Sequence, residues 1–339
     1  MTVSQNDDSE EAPLDPDRPI IDPHHHLWEI MPSPGSLQAP QRFLLHEMLE
    51  TVAQSGHRIV ETVAVECGAM YRAEGPDLLK PVGEVEFLRG MAAMSASGHY
   101  GPCRLASAIV AGAPLALGDA VRPLLEAQDE AAGGRLRGVR AHTSYSAGGL
   151  FGFPCAEETR EVMRSPGFHA GAAVLDHMGL SLDIWCLHTQ IGQVAELADA
   201  LPGLAIILDH IGTPDHFAYA GREGEADTEW RTAIADLARR PNVMIKIGGM
   251  GMDCTGPIGT RAERAPSEVL AERWRPYALA CIEAFTPDRA MFESNFPPDA
   301  ASGSYGALWN AFKRIALPLS DAEKTALFSG TARRAYRLG

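Results

Sequence analysis

Short apolar runs alternate with helix-length amphipathic stretches along almost the whole chain. Eight runs carry the β-branched and aliphatic signature of buried strands: 20–24, 60–66, 104–110, 136–141, 181–187, 204–209, 243–247 and 289–293. Between and after them, apolar residues recur at helical spacing over 43–56, 83–97, 118–132, 168–178, 190–200, 227–239, 271–285, 305–315 and 320–334. A strand followed by a helix, repeated eight times, predicts a parallel sheet, and eight units in one chain favour a closed (β/α)8 TIM barrel of the α/β class. No G-x-G-x-x-G follows the first strand and no P-loop occurs, so the doubly wound nucleotide-binding alternatives lose their main support. The stretches 143–157 and 249–267 interrupt the rhythm after strands, which places both over the C-terminal face, where barrel active sites form.

The chain has 339 residues, 45% of them hydrophobic, and a formal net charge of −15. The size suits one barrel domain over 20–339, and the charge argues against nucleic acid and anionic membranes as partners. Asp7, Asp8, Glu10, Glu11, Asp15 and Asp17 crowd the first 19 residues, which read as a disordered acidic tail. Neither a signal-peptide pattern nor a membrane-length apolar run is seen. The six cysteines are scattered without a CxxC pair, which fits reduced thiols and a cytoplasmic setting.

The first strand ends in His24-x-His26. Residues i and i+2 of a strand share a face, so two imidazoles are presented together and His25 faces away. Neutral imidazoles in such a pair suit a divalent transition metal. The fifth run terminates at His188 and the sixth at Asp209-His210. Three apolar runs ending in histidine are hard to explain as core packing, and a barrel mouth explains all three. Arg140 ends the fourth strand with His142 on its parity, and Arg72 lies in the loop after the second. Either arginine can clamp a substrate carboxylate. Trp28 and other aromatics are candidates to line a pocket. Lys246, inside the apolar run 243–247, calls for an ion pair with a neighbouring carboxylate.

Several segments together resemble the amidohydrolase superfamily, in the branch of TIM-barrel hydrolases that contains fuconolactonase and 2-pyrone-4,6-dicarboxylate lactonase. They are Asp22-Pro-His-His-His-Leu-Trp28, Val65-Glu-Cys-Gly-Ala-Met-Tyr-Arg72, Arg137-Gly-Val-Arg140, Leu208-Asp-His-Ile-Gly212, Met291-Phe-Glu-Ser-Asn-Phe-Pro297 and Leu327-Phe-Ser-Gly-Thr-Ala-Arg333. The resemblance implies a metal set of His24, His26 and His188, holding zinc or manganese, with His210 orienting water or carbonyl. It also implies an aspartate after strand eight, where this chain has Asn295. An amide cannot take a proton near neutral pH, so the base is expected among Glu66, Glu293 and Asp299. Some enzymes of the branch work without metal, using histidines and an arginine to polarise the substrate. The expected activity is hydrolysis of a small carboxylic ester, a lactone above all. A metal-dependent decarboxylase of an unsaturated or aromatic acid, and a non-catalytic binding barrel, are the alternatives. The sequence leaves a homo-oligomer open.

Overall fold

The computed structural model describes residues 11–30, 40, 42–151, 153–252, 255 and 264–339, with only the backbone of His142. Eight strands are present: β1 (Ile20–His25), β2 (Ile59–Val65), β3 (Arg104–Gly112), β4 (Leu136–His142), β5 (Ser181–Trp185), β6 (Ile206–Leu208), β7 (Val243–Ile247) and β8 (Ala290–Phe292). They pair in parallel in chain order from β1 to β8. A parallel bridge from His25 to Phe296 closes β8 back onto β1. Asp22 seals that seam, accepting from Ser294 N and Oγ and from Tyr305 Oη. The result is a (β/α)8 barrel in which each strand delivers its C-terminal end to one face.

The helices follow from their sequence periods. They are α1 (Leu45–Gln54), α2 (Val82–Ala96), α3 (Arg122–Ala132), α4 (Pro166–Met178), α5 (Ile191–Ala200), α6 (Glu223–Leu237), α7 (Ser267–Phe285), α8 (Tyr305–Ile315), α9 (Asp321–Thr325) and α10 (Thr331–Ala335). Ser165 caps α4, Pro166 takes its first turn, and Gly179 ends it in the left-handed region. The helix expected over 320–334 is split. A π-helical turn at Ala326–Gly330 separates α9 from α10, and Phe328 is thereby seated against Phe292 of β8, ring centroids 4.9 Å apart.

Residues 11–19, expected within a disordered tail, are instead laid along α7 and α8. Glu11 accepts from Ser267, Leu14 N donates to Asn310, and Lys313 donates to the carbonyls of Leu14 and Asp15. Fixed donors on the helices satisfy the segment's acceptors, which composition alone does not reveal. Residues 1–10 lie outside the described residues, as do 253, 254 and 256–263 of the expected 249–267 loop.

Candidate active site

The end of β1 behaves as the alternation requires. His24 and His26 point into the mouth, their Nε2 atoms 3.1 Å apart. His25 points away and bonds Thr62 at 2.8 Å. His26 Nδ1 lies 2.9 Å from the Val65 carbonyl. A carbonyl only accepts, so the His26 proton is on Nδ1 and Nε2 carries a lone pair. Burial and the neighbouring Arg140 push the His26 pKa down to about 3. Burial and Lys246 hold His24 well below the ordinary histidine value. Both rings are therefore neutral near pH 7.

His210 reaches the same point from β6. Its backbone is left-handed, φ 54°, and so is that of Ile211, φ 55°. Strand alternation ends there. Its Nδ1 donates to Glu293 Oε1 at 2.7 Å, and its own N–H reaches the same oxygen at 3.1 Å, leaving Nε2 free to accept. Two glycines of the β7 loop make the fit. A Cβ on Gly249 would stand 2.4 Å from the His210 ring, and one on Gly248 would stand 2.3 Å from the Glu293 carbonyl. Burial alone would raise the Glu293 carboxyl, yet His210 and His24 hold it down to about 2.

Donor atoms of His24, Asp209 and His210 all lie within 4.8 Å of one another, and all three residues are buried. Asp209 Oδ1 is 3.0 Å from Lys246 Nζ. The same oxygen stands 3.7 Å from His24 Nδ1, and Asp209 Oδ2 has no hydrogen-bond partner among the described residues. Lys246 is fully buried, as expected for an ion-paired strand lysine. It also meets Asp183 Oδ2 at 2.8 Å and His24 Nδ1 at 3.1 Å. Glu293 Oε2 stands 2.9 Å from that same Nδ1.

The other expected site residues divide. The group whose donor atoms all lie within 4.8 Å of one another includes neither His188 nor His26. His188 follows β5 in a separate turn, its Nδ1 accepts from Asp215 N at 3.0 Å, and its Nε2 faces Glu229 at 3.7 Å. Asp209, outside the expected ligand set, lies in that group beside His24 and His210. Arg140 does reach the mouth, with Nη1 3.4 Å from His24 Nε2. Its fork, however, is engaged by Glu66: Nε meets Oε1 at 2.8 Å and Nη2 meets the Glu66 carbonyl. Glu66 is accordingly the ion-pair partner of Arg140. Arg72 is exposed and paired with Glu86. Trp28 is buried, gives its indole N–H to the Pro40 carbonyl, and stacks behind His26 at 6.5 Å. Asn295 is buried, with φ 48°, and donates to Asp299 Oδ1 at 2.8 Å. The His142 side chain lies outside the described part of the structure.

The histidine pair fits a metal. Two ligands about 2.0–2.1 Å from a tetrahedral zinc stand roughly 3.3 Å apart, close to the observed 3.1 Å. His26 is backed by a carbonyl, and Glu293 stands beside both His24 and His210, an outer shell that orients ligating imidazoles.

The amidohydrolase family Amidohydro_2 matches residues 21–338. The chain belongs to that family. This amidohydrolase is 33% identical over 336 residues to the uncharacterized protein y4mH of Sinorhizobium fredii, across 94% of this chain and 98% of that one. It is 29% identical over 218 residues to an L-fucono-1,5-lactonase of Burkholderia multivorans, across 63% of this chain and 67% of that protein. Among solved structures, an amidohydrolase from Burkholderia multivorans with bound zinc superposes with a TM-score of 0.70 at 25% identity, covering 94% of this chain and 99% of that one. The family and the fold make this amidohydrolase an enzyme of that superfamily.

Proposed function

We propose that this amidohydrolase hydrolyses a small carboxylic ester, a lactone above all, at the β1/β6 cluster. The observation that carries the reading is the convergence of His24 and His26 Nε2 at 3.1 Å beside Asp209 and His210. The lactonase name of one relative supports the substrate class. His24, His26, Asp209 and His210 would hold a divalent ion, zinc or manganese. When bound, such an ion acidifies water and polarises a carbonyl.

The chain's own groups supply the rest. His210, with its ring fixed through Nδ1 by Glu293, presents the Nε2 lone pair to the cluster, as a ligand of that ion would. Asp209 collects the proton. It is a buried carboxylate of the cluster, with donor atoms of His24 and His210 beside it. Glu66 is held by Arg140, Glu293 by two histidines, and both Asp299 oxygens by Asn295 and Gly251. Asn295 stays neutral and does not compete for that proton.

The five described cysteines are free, which supports the reducing, cytoplasmic setting. Among the described residues no helix is long and apolar enough to cross a membrane. The test is a panel of aldonolactones and simple aliphatic lactones, followed by acid release, with enzyme stripped by chelator and then reloaded with zinc or manganese. Acid release that returns with metal supports the reading. CO2 release from aromatic acids without lactone turnover would replace it with the decarboxylase alternative.

A further inference from the structure

Trp185 ends β5 on the interior face of the barrel. Asp183, two residues earlier, points inward and meets Lys246 Nζ at 2.8 Å. The alternation of the strand turns Trp185 to the same face, one layer nearer the mouth. There its ring stands beside that of His210, centroids 6.1 Å apart and planes at 71°. Asp183 is fully buried, but Trp185 is only half-buried, so part of the indole is open at the mouth. Its one polar atom is already engaged, because Nε1 donates to Thr213 Oγ1 at 3.0 Å. What the ring offers a substrate is carbon surface.

The loop after β4 adds a second ring. Leu150 and Phe153 exchange two backbone hydrogen bonds, of 2.8 and 2.9 Å. Gly149 permits the turn: it sits at φ 80°, and a Cβ there would collide with the Phe153 carbonyl. The turn sets the half-buried Phe151 ring 5.8 Å from that of Trp185. Gln190 pins the base of the loop, accepting from Tyr145 N at 2.8 Å and donating to the Thr143 carbonyl at 2.7 Å. His210, Trp185 and Phe151 thus form a strip running outward from the cluster, and the two aromatic members of it present no free donor or acceptor.

We propose that Trp185 and Phe151 form a specificity subsite that takes an alkyl substituent carried by the lactone ring. The proposal rests on the lactone reading above. An alkyl group laid on the strip leaves water and packs against two rings. A hydroxyl in the same place leaves water and finds no partner, which costs binding. The strip therefore favours alkyl lactones over polyhydroxylated ones.

The test is steady-state kinetics on δ-lactones bearing methyl, ethyl, propyl or butyl beside the ring oxygen, with an aldonolactone alongside. In the parent, kcat/KM is expected to rise about fourfold with each methylene, mainly through KM, and with butyl to exceed that for the aldonolactone. The rise is expected to flatten in Trp185→Ala and in Phe151→Ala, and to return in Trp185→Phe. Phe151 lies on a surface turn, so its variant carries the test if Trp185→Ala does not fold. Lactone turnover by the parent without dependence on chain length overturns the subsite and leaves the lactone reading standing. So does the parent's dependence kept in either folded alanine variant, and so does a parent that prefers the aldonolactone. Turnover of no lactone overturns both.

Discussion

Asn295 gives one amide proton to Asp299 Oδ1 at 2.8 Å, so its Nδ2 faces Asp299 and its oxygen is turned elsewhere. Asp299 is buried and receives Gly251 N on its other oxygen at 3.0 Å. Replacing Asn295 by aspartate sets two carboxylates against each other. Asn295→Asp is expected to lower Tm by several degrees at pH 8 and to recover at pH 5, where one proton is shared. The exchanged pair Asn295→Asp/Asp299→Asn should regain most of the loss, because the hydrogen bond is restored with its polarity reversed. Equal Tm values for Asn295→Asp and the parent at pH 8 would show that the two side chains do not meet this way.

Burial pushes the Asp299 carboxyl up to about 7, against the hydrogen bonds that favour its charged form. A folded-state pKa raised above the unfolded value of about 3.9 means stability is fully present below pH 4 and lost as pH rises toward 7. Asp299→Asn cannot ionise. Its stability relative to the parent is therefore expected to rise from pH 4 to pH 7 and to level off above. Urea midpoints taken as differences cancel the buried histidines common to both proteins. A difference that stays flat across this window would contradict the raised pKa.

Arg140 and Glu66 form one buried unit, with Nε and Oε1 at 2.8 Å. Removing one partner of such a pair costs about 3–5 kcal/mol, and removing both costs less than the sum. A double-mutant cycle with Arg140→Met and Glu66→Gln, read by denaturant unfolding, should show strong coupling. Additive losses would mean that Arg140 acts on substrate independently of Glu66.

Gly249 sits at φ 63°, and a Cβ there would collide with the His210 ring. Gly249→Ala is expected to leave the barrel folded and to reduce kcat by about 10², the scale of a misplacement near 1 Å. Circular dichroism checks the fold and steady-state kinetics checks the rate. Unchanged kcat would show that the ring position does not govern turnover.

The strands were legible because each is a short apolar run bounded by turns, and His24, His25 and His26 alternate in facing at the end of β1 despite a register irregularity between Asp22 and His25. The ligand set was legible only where alternation continued. On β6, Asp209 and His210 are consecutive and would point to opposite faces in a regular strand. The left-handed backbone at His210 and Ile211 breaks that rule and lets both converge. On β5 the strand stops at Trp185, so His188 falls in a separate turn and bonds the β6–α6 loop. Arg140 was recognisable as an inward residue, but its partner lies 74 positions away, a separation that no local pattern encodes. The seat of residues 11–19 depends likewise on donors nearly 300 positions later.

The central claim is that the working cluster is His24, His26, Asp209 and His210, with His188 outside it. Zinc titration of chelator-stripped parent, Asp209→Asn and His188→Ala, with lactone turnover on the same samples, tests it most directly. The expected result is that His188→Ala retains zinc stoichiometry near the parent's. Asp209→Asn should lose bound zinc and fall in rate by about 10²–10⁴, the range for a removed proton acceptor. Loss of zinc in His188→Ala, with zinc retained and turnover unchanged in Asp209→Asn, would contradict the account.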